Sequence, residues 1–365
     1  MSRTNRSLSR RTFVKQAAVG SLAALAAPAI LAAAKTDSKR AVVGVGDHQY
    51  EVDHHWAKLP AEFTWQTTHN VAVGRDGTVY VIHEGRLEQP MHPAIFAFDP
   101  EGKFIRAFGA QFQGGGHGLE TRVEGNDEFV YVTAYQSKRS FAKLTPTGEV
   151  VWQTPGDKAA FSSFVVGTLG GRRQLIGYQR TTLCGFDVAT GQQLWQLKPP
   201  RANDFNVPTP IVVGDKLLVT TENNGTRLYQ FDAMGRIVPQ PVAVNEDLAP
   251  DAHTPVVVGN RVFGVWGGLH CLDLAAGLRP LWTSDDAAFN DYATAIASDR
   301  RVLIVTMHGE LILLDAAAEQ FSPLSRVPLF ADDPGVYSHP ALVGTRMFVR
   351  GSREIICVEL GEGEK

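Results

Sequence analysis

Cysteine is scarce in this chain, with three residues among 365. Cys184, Cys271 and Cys357 stand at equivalent places in three different sequence repeats. A disulfide requires Cα atoms within about 7 Å of each other, and separate repeats do not offer that proximity. We therefore expect no disulfide and no thiolate metal site, and we interpret the three residues as small members of the core.

Ready-made catalytic motifs are missing as well. The sequence contains no G-x-S-x-G nucleophile elbow, no Walker loop, no H-E-x-x-H motif and no EF-hand pattern. The glycine-rich run at residues 113–117 is followed by no helix pattern, so it does not form a phosphate loop. Any chemistry must therefore come from side chains that the fold brings together.

A long, strongly apolar run is also lacking. Residues 1–34 carry the pair Arg10 and Arg11, an alanine-rich run and the small-residue site 32–34, which together predict a cleavable export signal. The paired arginines resemble those of twin-arginine (Tat) signals, which implies export of a folded protein to the periplasm or beyond. The alternative is an uncleaved anchor, but Pro28 and the many alanines do not suit a span of about 20 strongly apolar residues. We expect no membrane span after cleavage.

An excess of positive charge is absent from the predicted mature chain. The signal carries five of the 35 basic residues and no acidic one, so 30 bases remain against 38 acids, a net charge of −8. Nucleic-acid binding leaves a basic face as its footprint. We therefore expect no nucleic-acid partner.

What the chain does have is a regular repeat. Short apolar strands end in an acidic or turn-forming residue at intervals of 41 to 46 residues, at Asp99, Thr145, Asp187, Asp232, Asp273, Asp315 and Glu359. Units of this length that contain four short strands are typical of β-propellers. The repeat predicts an all-β fold, a seven-bladed propeller of four-stranded antiparallel blades.

The predicted domains are the signal at 1–34 and one propeller at 35–365. Its blades are expected at about 66–110, 115–155, 160–200, 206–245, 251–285, 291–330 and 336–362. The last repeat leaves too few residues for its fourth strand. We expect the N-terminal strand at 48–57 to supply it and to close the ring, which would remove a free sheet edge.

Residues 186–195 resemble the D-x-x-T-G-x-x-x-W blade motif of PQQ-like propeller repeats, and residues 70–81 are similar to NHL repeats. Quinoprotein dehydrogenases share the blade motif, but this chain is shorter and lacks their adjacent cysteine pair, so no quinone cofactor is expected. Residues 81–85 and 116–119 are similar to the His-bearing strand ends of peptidyl-hydroxyglycine amidating lyases, a resemblance that implies zinc. PQQ-like and NHL repeats both occur in binders and in enzymes, so the resemblance predicts the fold more than the function.

Alignment of the first strand of each repeat produces a column of polar residues near the central channel. Its members are His69, His117, Ser163, Thr209, Thr254, Thr294 and His339. The three histidines belong to consecutive blades of a closed ring, and three His with an open fourth position is a catalytic zinc pattern. We predict His69, His117 and His339, with His83 as a further candidate, as ligands of zinc or another divalent metal. The alternative is that these residues hydrogen-bond water in the channel.

Two functional hypotheses remain open. The first is a binding propeller that holds a small molecule, a carbohydrate or a protein on one face. The second is a metal-dependent lyase or hydrolase acting on a carbohydrate or peptide. In the second case the loops that share a face with the column supply candidate acids or bases and anion-binding arginines, namely Tyr135, Tyr178, Glu222, Arg180 and Arg350.

Overall fold

The repeats fold into antiparallel sheets of short strands. The computed structural model describes residues 41–45, 48–52, 55–135, 138–158, 160–331 and 335–361, so the predicted signal lies outside the described residues. Six four-stranded sheets and one three-stranded sheet follow one another along the chain, each with its strands in sequence order. They form the seven blades of a β-propeller, and the predicted fold is confirmed.

The strands of each blade are named a to d in chain order. Two N-terminal strands, β1 and β2, are Ala41–Val45 and His48–Val52. Blades 1 and 2 contain β3 to β10, which are Thr68–Val73, Val79–His83, Ile95–Phe98, Phe104–Phe108, Gly116–Glu124, Asp127–Ala134, Ser140–Leu144 and Val150–Pro155. Blades 3 and 4 contain β11 to β18, which are Val165–Leu169, Arg172–Tyr178, Leu183–Asp187, Gln193–Leu197, Ile211–Val213, Lys216–Thr221, Gly225–Tyr229 and Ala243–Asn245. Blades 5 to 7 contain β19 to β29, which are Val256–Val258, Arg261–Val265, Leu269–Asp273, Arg279–Ser284, Ala293–Ala297, Arg301–Thr306, Glu310–Asp315, Pro323–Pro328, Ala341–Val343, Arg346–Arg350 and Ile355–Glu359.

The acidic residue of each repeat has a local role, which Asp187 illustrates. Its Oδ1 accepts the backbone N–H groups of Ala189 at 2.9 Å and Thr190 at 3.0 Å, which holds the turn between strands c and d. Arg172 of the neighbouring strand donates to Oδ2 at 2.9 Å. Carboxylates accept turn N–H groups in the same way at Asp99, Asp232 and Asp315. A turn of this kind occurs once in each blade, and the 41-to-46-residue interval is the sequence distance between successive turns.

Tryptophans in strand d join neighbouring blades, as their spacing predicts. Trp152 of blade 2 is buried, and its Nε1–H donates to the carbonyl oxygen of Val188 in blade 3 at 3.1 Å. Trp282 of blade 5 makes the equivalent bond to Ala318 of blade 6 at 2.9 Å. Each indole therefore fills the gap between two blades and satisfies its N–H there.

The N-terminal strand differs from the prediction. Within the described residues, blade 7 has three strands, and β2 pairs with β1 in a separate hairpin instead of pairing with β29. The segment that follows packs on blade 1, where Trp56 and Phe63 cover Phe96 and Phe98. β1 and β2 are close in sequence, so they pair at little loop-closure cost, and the aromatic surface of blade 1 binds the next segment.

The cysteines follow the prediction in part. The structure has free thiols at all three positions, and Cys184 and Cys271 are buried. Cys357 is exposed because it lies on the face of blade 7 that no described segment covers. No helix in the described part of the chain has the length and apolar character of a membrane span.

Candidate functional site

Two histidines of the predicted column are placed by β-bulges in the inner strands of blades 1 and 2. The pairing of β3 with β4 skips over His69, and the pairing of β7 with β8 skips over His117. A bulged residue leaves the regular ladder, and the local bend redirects its side chain. This irregularity is shared by two neighbouring inner strands, which contact each other.

Glycines on both sides of His117 allow the close approach of the chain. A Cβ at Gly116 would lie 2.5 Å from the carbonyl oxygen of His83, and a Cβ at Gly118 would lie 2.4 Å from Oγ1 of Thr133. That hydroxyl instead accepts the Gly118 N–H at 2.9 Å. The sequence Gly-His-Gly thus positions one imidazole where no larger neighbour fits.

The bulges bring His69 and His117 together. Their rings are stacked with centroids 4.5 Å apart and planes inclined by 27°. The ring of Tyr135, which follows β8, lies edge-on to both, at 4.9 Å from His117 and 5.9 Å from His69. The three rings form one aromatic cluster, which we call the histidine pair and its tyrosine.

The electrostatics of the site favour an uncharged imidazole at His117. Burial lowers the pKa of His117, the charge of His69 lowers it further, and Glu84 opposes both effects. The Glu84 carboxylate lies 3.6 Å from Nε2 of His69. A neutral imidazole offers one N–H donor and one nitrogen acceptor, so the pair can hydrogen-bond a polar group or exchange a proton with it.

The third predicted metal ligand does not complete the site. Among the described residues, no three His, Cys, Asp or Glu side chains are grouped so that they could hold a metal ion. His69 and His117 therefore lack the third ligand that a three-His zinc site requires. His339 acts instead on His253 of blade 5: burial lowers the pKa of His253 to about 4, and the charge of His339 makes a further contribution.

The rest of the polar column links blades to one another. The N–H of Ser163 donates to Oγ1 of Thr209 at 3.2 Å, and the N–H of Thr209 donates to Oγ1 of Thr254 at 2.9 Å. In blades 3 to 5 the column thus has a structural role. Oγ1 of Thr294 in blade 6 is buried and has no hydrogen-bond partner among the described residues.

His83 is buried inside blade 1. Its side chain has no exposed surface, and neither ring nitrogen has a hydrogen-bond partner in the described part of the chain. The ring packs against Phe96, with centroids 5.0 Å apart, and lies 5.6 Å from His92. Burial, with a smaller contribution from the charge of His92, lowers the pKa of His83 to about 4. The side chain is therefore a neutral core residue at pH 7.

Two of the predicted acids or bases have contrasting environments. Tyr178 is buried, its hydroxyl has no partner within the described ranges, and burial raises its pKa, so it is closed to a ligand on the surface. Glu222 is partly buried and accepts the N–H of Phe205 at 2.6 Å. Burial, followed by the charges of Asp204 and Asp251, raises the pKa of Glu222. Of the two, only Glu222 keeps part of its surface exposed.

The connections between strands b and c and between successive blades lie on one side of the ring, which we call the loop face. The predicted anion-binding residues Arg180 and Arg350 are exposed there. So are three aromatic side chains, Phe161 at 69 %, Trp266 at 40 % and Tyr337 at 66 % exposure. Phe161 and Tyr337 were not identified from the sequence, although their positions in connections between blades rather than in strands would have marked them.

Comparisons with known proteins support the fold. No curated protein matches the chain. Among solved structures, BamB from Moraxella catarrhalis superposes with a TM-score of 0.56 at 16 % sequence identity, over 87 % of this chain and 86 % of that one. A chain of a mitotic checkpoint complex superposes with a TM-score of 0.50 at 12 % identity, over 86 % of this chain and 98 % of that one. At these identities the likeness concerns the fold alone.

A family model described as outer membrane protein assembly factor BamB matches residues 54–284, which is more than half of the chain. The match covers the segment on blade 1 and extends to the end of blade 5. The capped turns and the inter-blade tryptophans of the PQQ-like repeat lie within it. The chain therefore belongs to this family of PQQ-like β-propellers.

Proposed function

We propose that the chain is an extracytoplasmic binding module that holds a partner protein or another ligand on its loop face. The observation that carries the proposal is the exposure of Phe161, Trp266 and Tyr337 on that face. Large aromatic side chains dominate the energetics of protein interfaces, and exposing them costs hydrophobic free energy unless a partner covers them. Seven rigid blades would hold these side chains in fixed relative positions.

The relatives are consistent with such a role. The family model is described as outer membrane protein assembly factor BamB, and one structural neighbour is a chain of a mitotic checkpoint complex. The first name describes a factor in the assembly of other proteins, and the second describes a multiprotein complex. The family's name and the predicted export signal support a location outside the cytoplasm, with export by the Tat pathway as part of the proposal.

The experiment compares two matched variants in their ability to form complexes. One replaces Phe161, Trp266 and Tyr337 by serine, and the control replaces Met234, which is 59 % exposed in a turn on the opposite face. Both proteins, and the wild type, are chemically crosslinked in an extract of the host's extracytoplasmic proteins and the adducts are quantified. The proposal expects adducts to fall at least about tenfold in the triple variant and to persist in Met234→Ser. Equal loss in both variants would contradict it.

Acid–base catalysis on a carbohydrate or peptide is the second candidate function. The histidine pair and its tyrosine favour it, because burial lowers the pKa of His117 and leaves a proton acceptor near pH 7. Glu222 and Arg180 or Arg350 would then serve as the acid and the anion-binding group. Turnover of a panel of polysaccharides and peptides that disappears in His117→Gln, with folding intact, would establish this function in place of simple binding.

A further inference from the structure

We propose that the loop face between blades 2 and 4 is a docking site for an extended acidic segment of a partner protein that carries an aromatic or large aliphatic anchor residue. The site consists of Phe161 and Phe205 as the apolar centre and of Lys158 and Arg180 as its basic border. This inference rests on the proposed function and specifies where the partner binds and what its chemistry is.

Two rings from different connections form the centre. Phe161 lies between β10 and β11, and Phe205 lies between β14 and β15, yet their centroids are 4.7 Å apart with planes inclined by 45°. Phe161 is largely exposed, whereas Phe205 is partly buried beneath it. An exposed ring supported by a second ring is a preformed surface for an apolar anchor, since part of the ordering cost of binding has already been met.

Backbone hydrogen bonds hold the aromatic and basic parts together. The N–H of Ser162 donates to the carbonyl oxygen of Asn206 at 3.1 Å, and Nδ2 of Asn206 donates to the carbonyl oxygen of Arg180 at 2.9 Å. The N–H of Arg180 in turn donates to the carbonyl oxygen of Lys158 at 2.7 Å. Asn206 is buried with a positive φ of 53°, so it is a structural bridge between three loops rather than a contact residue.

The charge around the rings is opposite to that of the whole protein. The loops at residues 156–164, 178–182 and 198–210, which carry the rings and the basic border, contain four bases and two acids, while acids exceed bases over the full sequence. Lys158 and Arg180 are exposed, and the structure shows no carboxylate partner for their side chains among the described residues. The carboxylates near the rings accept backbone N–H groups: Asp157 that of Lys158 at 2.7 Å, Asp204 that of Asn223 at 2.9 Å and Glu222 that of Phe205 at 2.6 Å. A positive patch on an acidic protein favours a negatively charged ligand and speeds its approach.

A peptide fits this surface better than an acidic polysaccharide does. The two rings of the apolar centre are inclined by 45°, so an aromatic or leucine side chain can bury against both of them, whereas the flat face of a sugar ring stacks on only one. Carboxylates on neighbouring residues of an extended segment then reach Lys158 and Arg180. Polar rim contacts around an apolar anchor are the usual anatomy of a protein interface.

The test selects ligands without assuming their identity. A displayed library of random dodecapeptides is enriched on the purified protein, and the affinities of the selected peptides are measured for the wild type and for variants. The test variants are Phe161→Ala and the double charge reversal Lys158→Glu with Arg180→Glu. The matched controls are Met234→Ala and Lys216→Glu, both on the opposite face. A further variant, Trp266→Ala, reports whether binding uses another part of the loop face instead. Melting temperatures confirm that every variant is folded.

The inference expects selected peptides with an aromatic or large aliphatic residue flanked by acids, and binding weakened at least about tenfold in both test variants and less than about twofold in both controls. Selected peptides without an excess of acids, or an oligouronate that binds more tightly than any peptide, would overturn it. Peptides whose binding falls in Trp266→Ala but not in Phe161→Ala would overturn this site while leaving the proposed function standing. If no peptide is enriched, the inference fails.

Discussion

The N–H of Thr209 donates a 2.9 Å hydrogen bond to Oγ1 of Thr254, so the segments that lead into the inner strands of blades 4 and 5 are bonded to each other. Ser163 and Thr209 form the same link one blade earlier. Some members of a polar column around a channel can therefore be structural, while other members of the same column form a candidate site in different blades. Here the histidines of blades 1 and 2 depart from the structural pattern because bulges remove them from the ladder.

The Thr254 hydroxyl is expected to matter for stability, and the Thr294 hydroxyl is not. Thr254→Val leaves the N–H of Thr209 without its acceptor and should lower the free energy of unfolding by about 1–2 kcal/mol. Thr254→Ser keeps the oxygen and should restore most of this loss. Thr294→Val removes a buried hydroxyl with no partner among the described residues and should be neutral or stabilising. Denaturant unfolding of the three variants measures these changes, and equal losses in both valine variants would refute the structural role.

Stability should fall on acidification through two buried histidines. Burial, aided by neighbouring histidines, lowers the pKa values of His83 and His253 to about 4, whereas a histidine in an unfolded chain titrates near 6.5. Their contribution is complete above pH 6.5 and is lost as the pH falls from 6.5 to 4, because the unfolded chain binds more protons there. Between pH 6.5 and 4, the two histidines together lower the free energy of unfolding by at most about 2.7 kcal/mol for each unit by which the pH falls.

The variant His253→Gln tests this origin of the pH dependence. Nε2 of His253 accepts the N–H of Val265 at 3.0 Å, and a glutamine oxygen can take over that bond without titrating. When the free energy of unfolding is measured between pH 4.5 and 7.5, the variant should lose about half of the pH dependence that the two histidines cause in the wild type. An unchanged slope would show that His253 is protonated in the folded protein.

The His83 side chain should be replaceable by an apolar one. His83→Phe removes two ring nitrogens that have no partner in the described part of the chain and keeps a ring packed against Phe96. We expect the free energy of unfolding at pH 7 to stay the same or to rise by about 1 kcal/mol, since the desolvation cost of the imidazole is lost. A decrease of more than about 2 kcal/mol would indicate that His83 has a polar partner or a bound metal.

Metal analysis distinguishes a histidine pair from a three-His centre. After equilibration with zinc and desalting, the wild-type protein should retain well below one zinc per chain, because two imidazoles bind the ion weakly compared with three or four ligands. His117→Ala should leave the zinc content unchanged. One zinc per chain that disappears in His117→Ala would reinstate the three-His prediction.

The features that depend on local chemistry could be predicted from the sequence. Asp187 and its equivalents cap turns within a few residues of themselves, so their spacing predicts the blades directly. Trp152 follows the same turn in its own repeat, and its place between blades was predictable. The repeat register also made His69 and His117 equivalent, which is why neighbouring blades bring them together.

Features that depend on distant segments were not predictable. Tyr178 stands in a strand end that looks accessible, but the neighbouring blade buries its hydroxyl. The strand at 48–52 was recognisable as a strand, but the sequence does not show which edge it pairs with. The contact between Phe161 and Phe205 joins two irregular connections that carry no repeat signal.

Site-resolved photo-crosslinking in the host tests the central claim, binding on the loop face, most directly. The photoreactive residue p-benzoylphenylalanine replaces Phe161, Trp266 or, as the control, Met234 on the opposite face, one position at a time. The account predicts discrete adducts from positions 161 and 266 and none from 234. Adducts from position 234 alone, or none from any position, would contradict it.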